Sequence, residues 1–479
     1  MFKIRNYING EFFEPVSERY IENVNPAEGK VYSLIPDSDE RDVEKAVSAA
    51  STAFPGWAAT SVERRHDILS RIAHLIDQNL EKLAKAESVD NGKPLWLARM
   101  VDIPRASKNF EFFANAITQF ASQAHETNQQ AINYTLRRPL GVVSCISPWN
   151  LPLYLFTWKI APALAAGNTV LAKPSEITPM TAYLLSEICI EAGLPKGVLN
   201  ILHGYGQTAG QAMVSHPLVK AISFTGGTET GARIASVAAP KFKKLSLELG
   251  GKNPNIIFAD CDYDEALETT LRSSFSNQGQ ICLCGSRIYI ERPIYERFRD
   301  DLVSAVKEMK VGHPAAEDSR IGALVSKAHF EKVISYIQLA KEEGGTILCG
   351  GEVITVKGYE GGYYLSPAII EGLPNHCRTN QEEIFGPVVT LMPFDSDDEV
   401  LGYANDVRYG LSCTLWTRDL RRATRFAAEL EAGIVWINTW LFRDLRTPFG
   451  GMKDSGVGRE GGFEALQFFT EAKNVCIKY

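Results

Sequence analysis

The 479 residues predict an α/β protein of two parallel-sheet domains, and three observations carry that reading. A chain this long exceeds one simple core at roughly 100 to 200 residues per domain. From residue 141 onward, short β-rich runs alternate with helix-like segments, the mark of βαβ units. A second alternating stretch follows residue 248, where the two domains join.

In order along the chain, YINGEFFEP reads as a hairpin turning on Asn9-Gly10. Residues 40–124 read as helices, with apolar residues at helical spacing in HDILSRIAHLIDQNLEKLAKA. The first alternating region pairs the strands VVSCIS, NTVLAK, GVLNIL, VKAISF and KKLSLEL with intervening helices such as LFTWKIAPALAAG. The second places strands at NIIFA, SRIYIE, TILCGG and VVTLMPF. AINYTLRRPLG and the tail NVCIKY are β-like runs outside both patterns; a terminal strand needs a partner, and an intersubunit sheet is one solution.

Composition narrows the function. A net charge of -7 with 22% charged residues offers no basic surface for nucleic acid. The apolar tract at 142–173 is broken by Pro148, Asn150, Pro152, Lys159 and Pro162, short of the about 20 residues a membrane span needs. The N-terminus lacks the apolar core of a signal peptide, and nine scattered cysteines fit reduced thiols, so cytoplasmic residence is expected.

Two loops compete for a nucleotide phosphate. HGYGQTAG places Gly204, Gly206 and Ala209 in a G-x-G-x-x-A pattern, and SFTGGTETG bridges a strand to a helix through Thr225, Gly226, Gly227 and Gly231. Either is equally an ordinary tight turn. In LAKPSE, Glu176 beside Lys173 is placed to accept from an adenosine ribose and to repel a 2′-phosphate, favouring NAD over NADP; a plain surface ion pair is the alternative.

Residues 276–286, SNQGQICLCGS, hold Cys282 and Cys284. No CxxC or nearby His accompanies them, which argues against a metal site, and a disulfide two residues apart is strained. A nucleophilic thiolate and a buried structural cysteine remain. The first needs oxyanion donors, for which Asn150, Asn277 and Gln280 are candidates, and a base, for which Glu248 in LELGGK is the candidate. Residue types alone leave the two readings level.

The ordered set SPWNLP, LAKPSE, SFTGGTETG, LELGGKNPNIIF, FSNQGQICLCGSR, EEIFGPVV and PFGGMKDSGVGRE resembles the NAD(P)-dependent aldehyde dehydrogenase superfamily over the whole chain. The resemblance implies a Rossmann-like NAD-binding domain (residues 1–115 and 139–247) and an α/β catalytic domain (248–446). It also implies a small β oligomerisation element (116–138 and 464–479) and a homo-oligomer, dimer or dimer of dimers. It makes Cys282 the nucleophile, Glu248 the base for the hydrolytic water, and Asn150 with the Cys282 N–H the oxyanion donors. Lys173 and Glu176 fall at the adenosine ribose, Gly226, Gly227 and Thr228 at the pyrophosphate, and Trp149, Glu383 and Phe385 around the nicotinamide end. The Gly204 pattern becomes a decoy. One departure stands out: the family's FTGS loop ends in serine, and this chain has Gly227.

Arg105 in VDIPRASKNFEFF and Arg443 in INTWLFRDLRTPFGG fall where the resemblance puts tunnel-lining side chains, with Trp158 and Trp440 as walls. Two guanidiniums facing a tunnel are costly unless an anion pairs with them. Pairing of Arg105 with Asp102 or Glu111, and of Arg443 with Asp444, is the structural alternative. The phrases around them are most similar to the 2-aminomuconate and 2-hydroxymuconate semialdehyde dehydrogenases, which implies a small acidic aldehyde as substrate. A broad-specificity or betaine-aldehyde type shares every catalytic residue but not the arginines, a CoA-acylating member would lack Glu248, and a non-enzymatic binder has no need of Cys282, Glu248 and Asn150 together.

Overall fold

The computed structural model describes residues 1–479. The first sheet is built on five parallel strands: β1 (Val142–Ile146), β2 (Thr169–Lys173), β3 (Leu199–Ile201), β4 (Val219–Thr225) and β5 (Lys244–Glu248). β1 and β2 are buried at every residue, so they read as continuous apolar runs rather than alternating ones. The spatial order is β5-β4-β1-β2-β3: the chain builds outward from β1 on one side, then returns to build outward on the other. That reversal leaves a crevice between the carboxyl ends of β1 and β4, where open α/β sheets bind ligands. The predicted hairpin forms (Asn6–Ile8 with Glu11–Phe13) and extends this sheet beyond β3. At the other edge Gly456–Val457 pairs antiparallel with β5, bringing the C-terminal segment beside Glu248.

The second sheet comprises β6 (Asn253–Ile257), β7 (Gly285–Glu291), β8 (Thr346–Cys349), β9 (Ala368–Glu371), β10 (Val388–Phe394), β11 (Ser412–Trp416) and β12 (Ile434–Ile437). Its order is β8-β9-β10-β7-β6-β11-β12, parallel except at β8. The chain crosses from one sheet to the other over the four residues after Glu248.

Five helices position the site: α1 (Leu80–Asn91), α2 (Ile103–Thr118), α3 (Pro152–Ala165), α4 (Thr228–Ala238) and α5 (Tyr263–Phe275). Proline opens α3, where the missing N–H costs nothing, and the helix is apolar nearly all round because it is buried nearly all round. A five-residue π-helix, Ala98–Asp102, leads into α2.

The two orphan β-runs find each other within the chain. Thr470–Lys478 pairs antiparallel with Ala131–Pro139 from Thr470↔Pro139 to Lys478↔Ala131, and Ala124–Thr127 adds an exposed third strand. No helix is long and apolar enough to cross a membrane.

Candidate active site

Parallel register aligns the strand ends. Ile146 pairs with Lys173, Phe224 with Ile146, and Thr225 with Glu248, so Lys173, the loop bearing Asn150, the Gly226-Gly227 turn and Glu248 lie along one edge of the first sheet. The Cys282 loop, which follows α5 in the second sheet's domain, meets that edge from across the crevice.

The approach to Cys282 is a left-handed turn. Asn277, Gln278 and Gly279 all have positive φ (51°, 57° and 70°), a conformation that costs side-chain-bearing residues about 1 kcal/mol or more each. Gly279 is obligatory, since a Cβ there would lie 2.2 Å from the Gly386 carbonyl oxygen. Side chains hold the turn: Gln278 Nε2 donates to Ala323 O (3.0 Å), Asn277 Nδ2 to Asn150 O (2.9 Å), and Gln280 Oε1 accepts from Val325 N (3.1 Å). Of the three expected oxyanion donors, Asn277 also donates to Gln280 O (3.2 Å), which engages both of its amide N–H groups, and the fully buried Gln280 donates from Nε2 to Asn277 O (3.4 Å), so both spend their amides on the scaffold. Asn150 differs. Its Nδ2 donates to Gln280 O at 2.9 Å, and the amide's second N–H has no protein acceptor.

The peptide of Asn150 is held by a buried charge cluster. Its carbonyl accepts from Lys93 Nζ (3.0 Å), Asn277 Nδ2 (2.9 Å) and Asn91 Nδ2 (3.3 Å). Lys93 also pairs with Asp102 and lies 4.0 Å from Glu87, whose carboxylate accepts from Leu153 N at the start of α3. Burial pushes Glu87 up to about 8 and Asp102 upward, and Lys93 opposes both shifts. Breaking such a cluster by removing one member costs about 3 to 5 kcal/mol.

Two cavities meet at Cys282. One, of about 650 Å³, is lined by Arg105, Tyr154, Glu248, Cys282, Trp440 and Arg443 among others; the second, of about 260 Å³, is lined by Trp149, Asn150, Gly226, Gly227, Glu383 and Phe385 among others. Thr225, Leu249 and Cys282 belong to both. Burial pushes the Cys282 thiol up to about 12, with Glu383 and Glu248 adding to the rise, so the resting group is the thiol. Three carboxylates line the larger cavity. Asp102 is paired with Lys93 and Glu460 with Lys159 (2.7 Å), whereas both oxygens of Glu248 are buried without a partner. Burial and then Glu460 raise Glu248 well above the carboxylate range, and Lys159 pulls against them. Ser223 Oγ lies between, 3.1 Å from Glu460 and 3.2 Å from Lys159.

The smaller cavity suits a dinucleotide. The N-terminus of α4 opens onto it with Gly227 as cap, nothing stands within 4 Å of where a Gly227 Cβ would be, and the Thr228 hydroxyl is buried without a partner. That hydroxyl is one residue from the serine this chain lacks. Farther along the edge, Lys173 Nζ pairs with Glu176 at 3.1 Å. At the Cys282 end, Trp149 stands edge-on to Phe385 with ring centroids 5.3 Å apart, and Phe385 has a positive φ of 63°. His329 Nε2, 2.7 Å from Phe385 O, and Lys332 Nζ, 3.0 Å from Glu383 O, hold that strained segment. Gly251 N donates to Glu383 Oε1 at 2.9 Å. The competing loop faces elsewhere: a Cβ at Gly204 would lie 3.0 Å from Ser38 N, so this glycine serves chain packing.

None of the three expected local partners engages the arginines, and Glu111 forms no ion pair at all. Asp102 is taken by Lys93 and Asp444 by Arg446 (2.6 Å), and Arg105 and Arg443 form no ion pair. Arg105 Nε and Nη2 are buried without a hydrogen-bond partner, and burial lowers the guanidinium's proton affinity, helped by Arg443 nearby. Arg443 lies over Phe449 (4.1 Å) and Trp158 (5.4 Å) and donates from Nη1 to the Tyr154 hydroxyl (3.1 Å). Trp440 lines the tunnel. Trp158 does not; it stands behind Arg443, 2% exposed, because that face of α3 packs on Phe113.

Residues 12–475 match the aldehyde dehydrogenase family. The chain belongs to that family. The chain is 49% identical to 2-aminomuconic semialdehyde dehydrogenase of Bos taurus over 483 residues, covering 100% of this chain and 99% of the relative. It is 47% identical to 2-hydroxymuconic semialdehyde dehydrogenase of Pseudomonas sp. strain CF600 over 485 residues, covering 100% of both. The NAD+ complex of an aldehyde dehydrogenase from Bacillus cereus superposes with a TM-score of 0.97 at 38% identity, covering 99% of this chain and 96% of that one.

In this aldehyde dehydrogenase, sequence reading missed the groups that act behind the site: the Lys93 cluster, the Lys159–Ser223–Glu460 triad, His329 and Tyr154. Each lies far along the chain from what it supports, 57 residues for Lys93 to Asn150 and 301 for Lys159 to Glu460. Only a lysine placed inside an apolar run, as in LFTWKIAP, hinted at a buried partner.

Proposed function

We propose that this enzyme oxidises an acidic semialdehyde of the 2-aminomuconate or 2-hydroxymuconate type to the corresponding dicarboxylic acid, with NAD as coenzyme. The observation that carries the substrate class is a tunnel lined by three guanidiniums, Arg105, Arg272 and Arg443, none of them paired with a carboxylate, with two Arg105 nitrogens enclosed without any hydrogen-bond partner. Buried cations without counterions are costly, and a substrate carboxylate removes that cost. The names of the relatives agree. A broad-specificity or betaine-type reading leaves both arginines unexplained.

In this reading Cys282 Sγ gives its proton to water in the cavity and attacks the aldehyde carbon presented from the larger cavity. Asn150 Nδ2 and the Cys282 N–H hold the resulting oxyanion. Acceptance of a hydride is the chemistry that bound NAD supplies, and it converts the thiohemiacetal on Cys282 to a thioester. Glu248 then takes a proton from water as the water attacks the thioester carbon, and the acid is released. The Lys173–Glu176 pair would hold the adenosine ribose, the α4 N-terminus with Gly226, Gly227 and Thr228 the pyrophosphate, and Trp149, Glu383 and Phe385 the nicotinamide riboside. Glu176 favours NAD, since a 2′-phosphate would meet its charge.

The division into a cofactor domain (1–115 and 139–247), a catalytic domain (248–446) and an oligomerisation element (116–138 and 464–479) fits the three main sheets. The exposed strand Ala124–Thr127 offers unpaired backbone groups at the edge of the third, as a homo-oligomer would use. Nine unpaired cysteines suit a reducing compartment, and we place the enzyme in the cytoplasm.

Two results test this reading. Glu248→Gln gives a burst of NADH near one equivalent per site in stopped flow, followed by steady turnover about 100- to 10,000-fold slower than wild type. An unchanged steady state would remove Glu248 from the role of base. Arg105→Ala and Arg443→Ala each lower the ratio of kcat/KM for adipic semialdehyde to that for hexanal by about 10- to 100-fold, mainly through KM for the acid. An unchanged ratio would sink the carboxylate site.

A further inference from the structure

We infer that Tyr154 is a third member of the site for the substrate's distal carboxylate, donating its phenolic O–H to the anion alongside Arg105 and Arg443. The inference rests on the acidic-substrate reading above and adds a specificity residue to it.

Tyr154 sits in the first turns of α3, four residues after Asn150, and its side chain lines the larger cavity together with both arginines. Arg443 Nη1 donates to the Tyr154 oxygen at 3.1 Å. On the other side the Arg105 guanidinium lies 5.5 Å from the centre of the Tyr154 ring. The phenol thus stands between two cations that would otherwise face each other. Accepting from Arg443 uses an oxygen lone pair and leaves the hydroxyl proton free, and no protein group accepts it. The backbone under Tyr154 is tied to the arginine-bearing helix: its carbonyl accepts from Asn109 Nδ2 (3.0 Å) and Thr157 Oγ1 (3.0 Å), and Asn109 comes from α2, which carries Arg105.

The donors suit a carboxylate. Nε and Nη2 of Arg105 are enclosed without a partner, which leaves Nη1 to face the cavity that the residue lines. A carboxylate has about four lone-pair sites. Arg105 Nη1, an N–H of Arg443 and the Tyr154 O–H supply donors to it from three side chains. Because a phenol gives a hydrogen bond without adding charge, it completes the set without a third cation in a confined space. A neutral aldehyde of equal length would leave all of these donors unsatisfied, so the group discriminates by what the wrong substrate fails to pair.

The test compares adipic semialdehyde with hexanal for wild type, Tyr154→Phe, Arg443→Ala and the Tyr154→Phe/Arg443→Ala double variant. Removal of the hydroxyl alone is expected to lower the acid-to-neutral ratio of kcat/KM by about 10-fold or more, chiefly through KM for the acid. The double variant is expected to lose about as much again relative to Arg443→Ala, because the phenol donates to substrate directly. A ratio unchanged in Tyr154→Phe overturns the inference while leaving the acidic-substrate reading intact. A loss in Tyr154→Phe that vanishes in the Arg443→Ala background also overturns it, since Tyr154 would then act only by holding Arg443. A wild type with no preference for the acid overturns both readings.

Discussion

Cys282→Ala abolishes NADH formation, a loss on the order of 10,000-fold or more, whereas Cys284→Ala retains most of the wild-type rate. Both thiols are pushed up to about 12 by burial, so acidity does not separate them. Access does. Cys282 is part-exposed at the meeting point of the two cavities, while Cys284 is buried in a cluster with Ile281, Leu283, Leu411, Trp436, Trp440 and Phe449. A turn closed by Cys284 N donating to Ile281 O (3.0 Å) sends one side chain to the crevice and the other to the core. NADH absorbance under saturating aldehyde measures the effect, and activity surviving in Cys282→Ala but lost in Cys284→Ala would reverse the choice of nucleophile.

Asn150→Ala lowers kcat about 100- to 1,000-fold with little change in KM, because the lost donor matters most when the carbonyl oxygen carries full charge. The substitution leaves the loop in place. The carbonyl that Lys93, Asn91 and Asn277 hold belongs to the backbone of residue 150 and survives truncation of the side chain. The structural loss is one hydrogen bond, Nδ2 to Gln280 O, about 1 kcal/mol. Thermal unfolding therefore shifts little while turnover collapses, and wild-type kcat in this variant would exclude Asn150 as the oxyanion donor.

The reactive groups were legible in the sequence because each sits in a short local motif whose backbone does the placing. Cys282 follows a glycine-bearing turn, Glu248 ends a strand before Gly250 and Gly251, and Asn150 follows β1 in a proline-flanked turn. Parallel strands bring such ends to one edge whatever the details of packing, so a motif at a strand terminus predicts a site residue. The same logic located the helix N-terminus at Gly227 and the Lys173–Glu176 pair.

What the sequence by itself determined was the alternation that makes two parallel sheets and the identity of the groups at their ends. Tertiary structure alone decided which polar side chains those groups meet. Asp102, three residues from Arg105 and its expected counterion, is buried against Lys93 instead, and Asp444 turns outward to Arg446. The two arginines are thereby left without a carboxylate partner. Gln280 and Asn277, chemically apt as oxyanion donors, are consumed by the scaffold. The physical reason is common to these cases. A charge or amide pairs with the partner that the fold brings within about 3 Å, whether two residues along the chain, as for Asp444 and Arg446, or 127, as for Asn277 and Asn150.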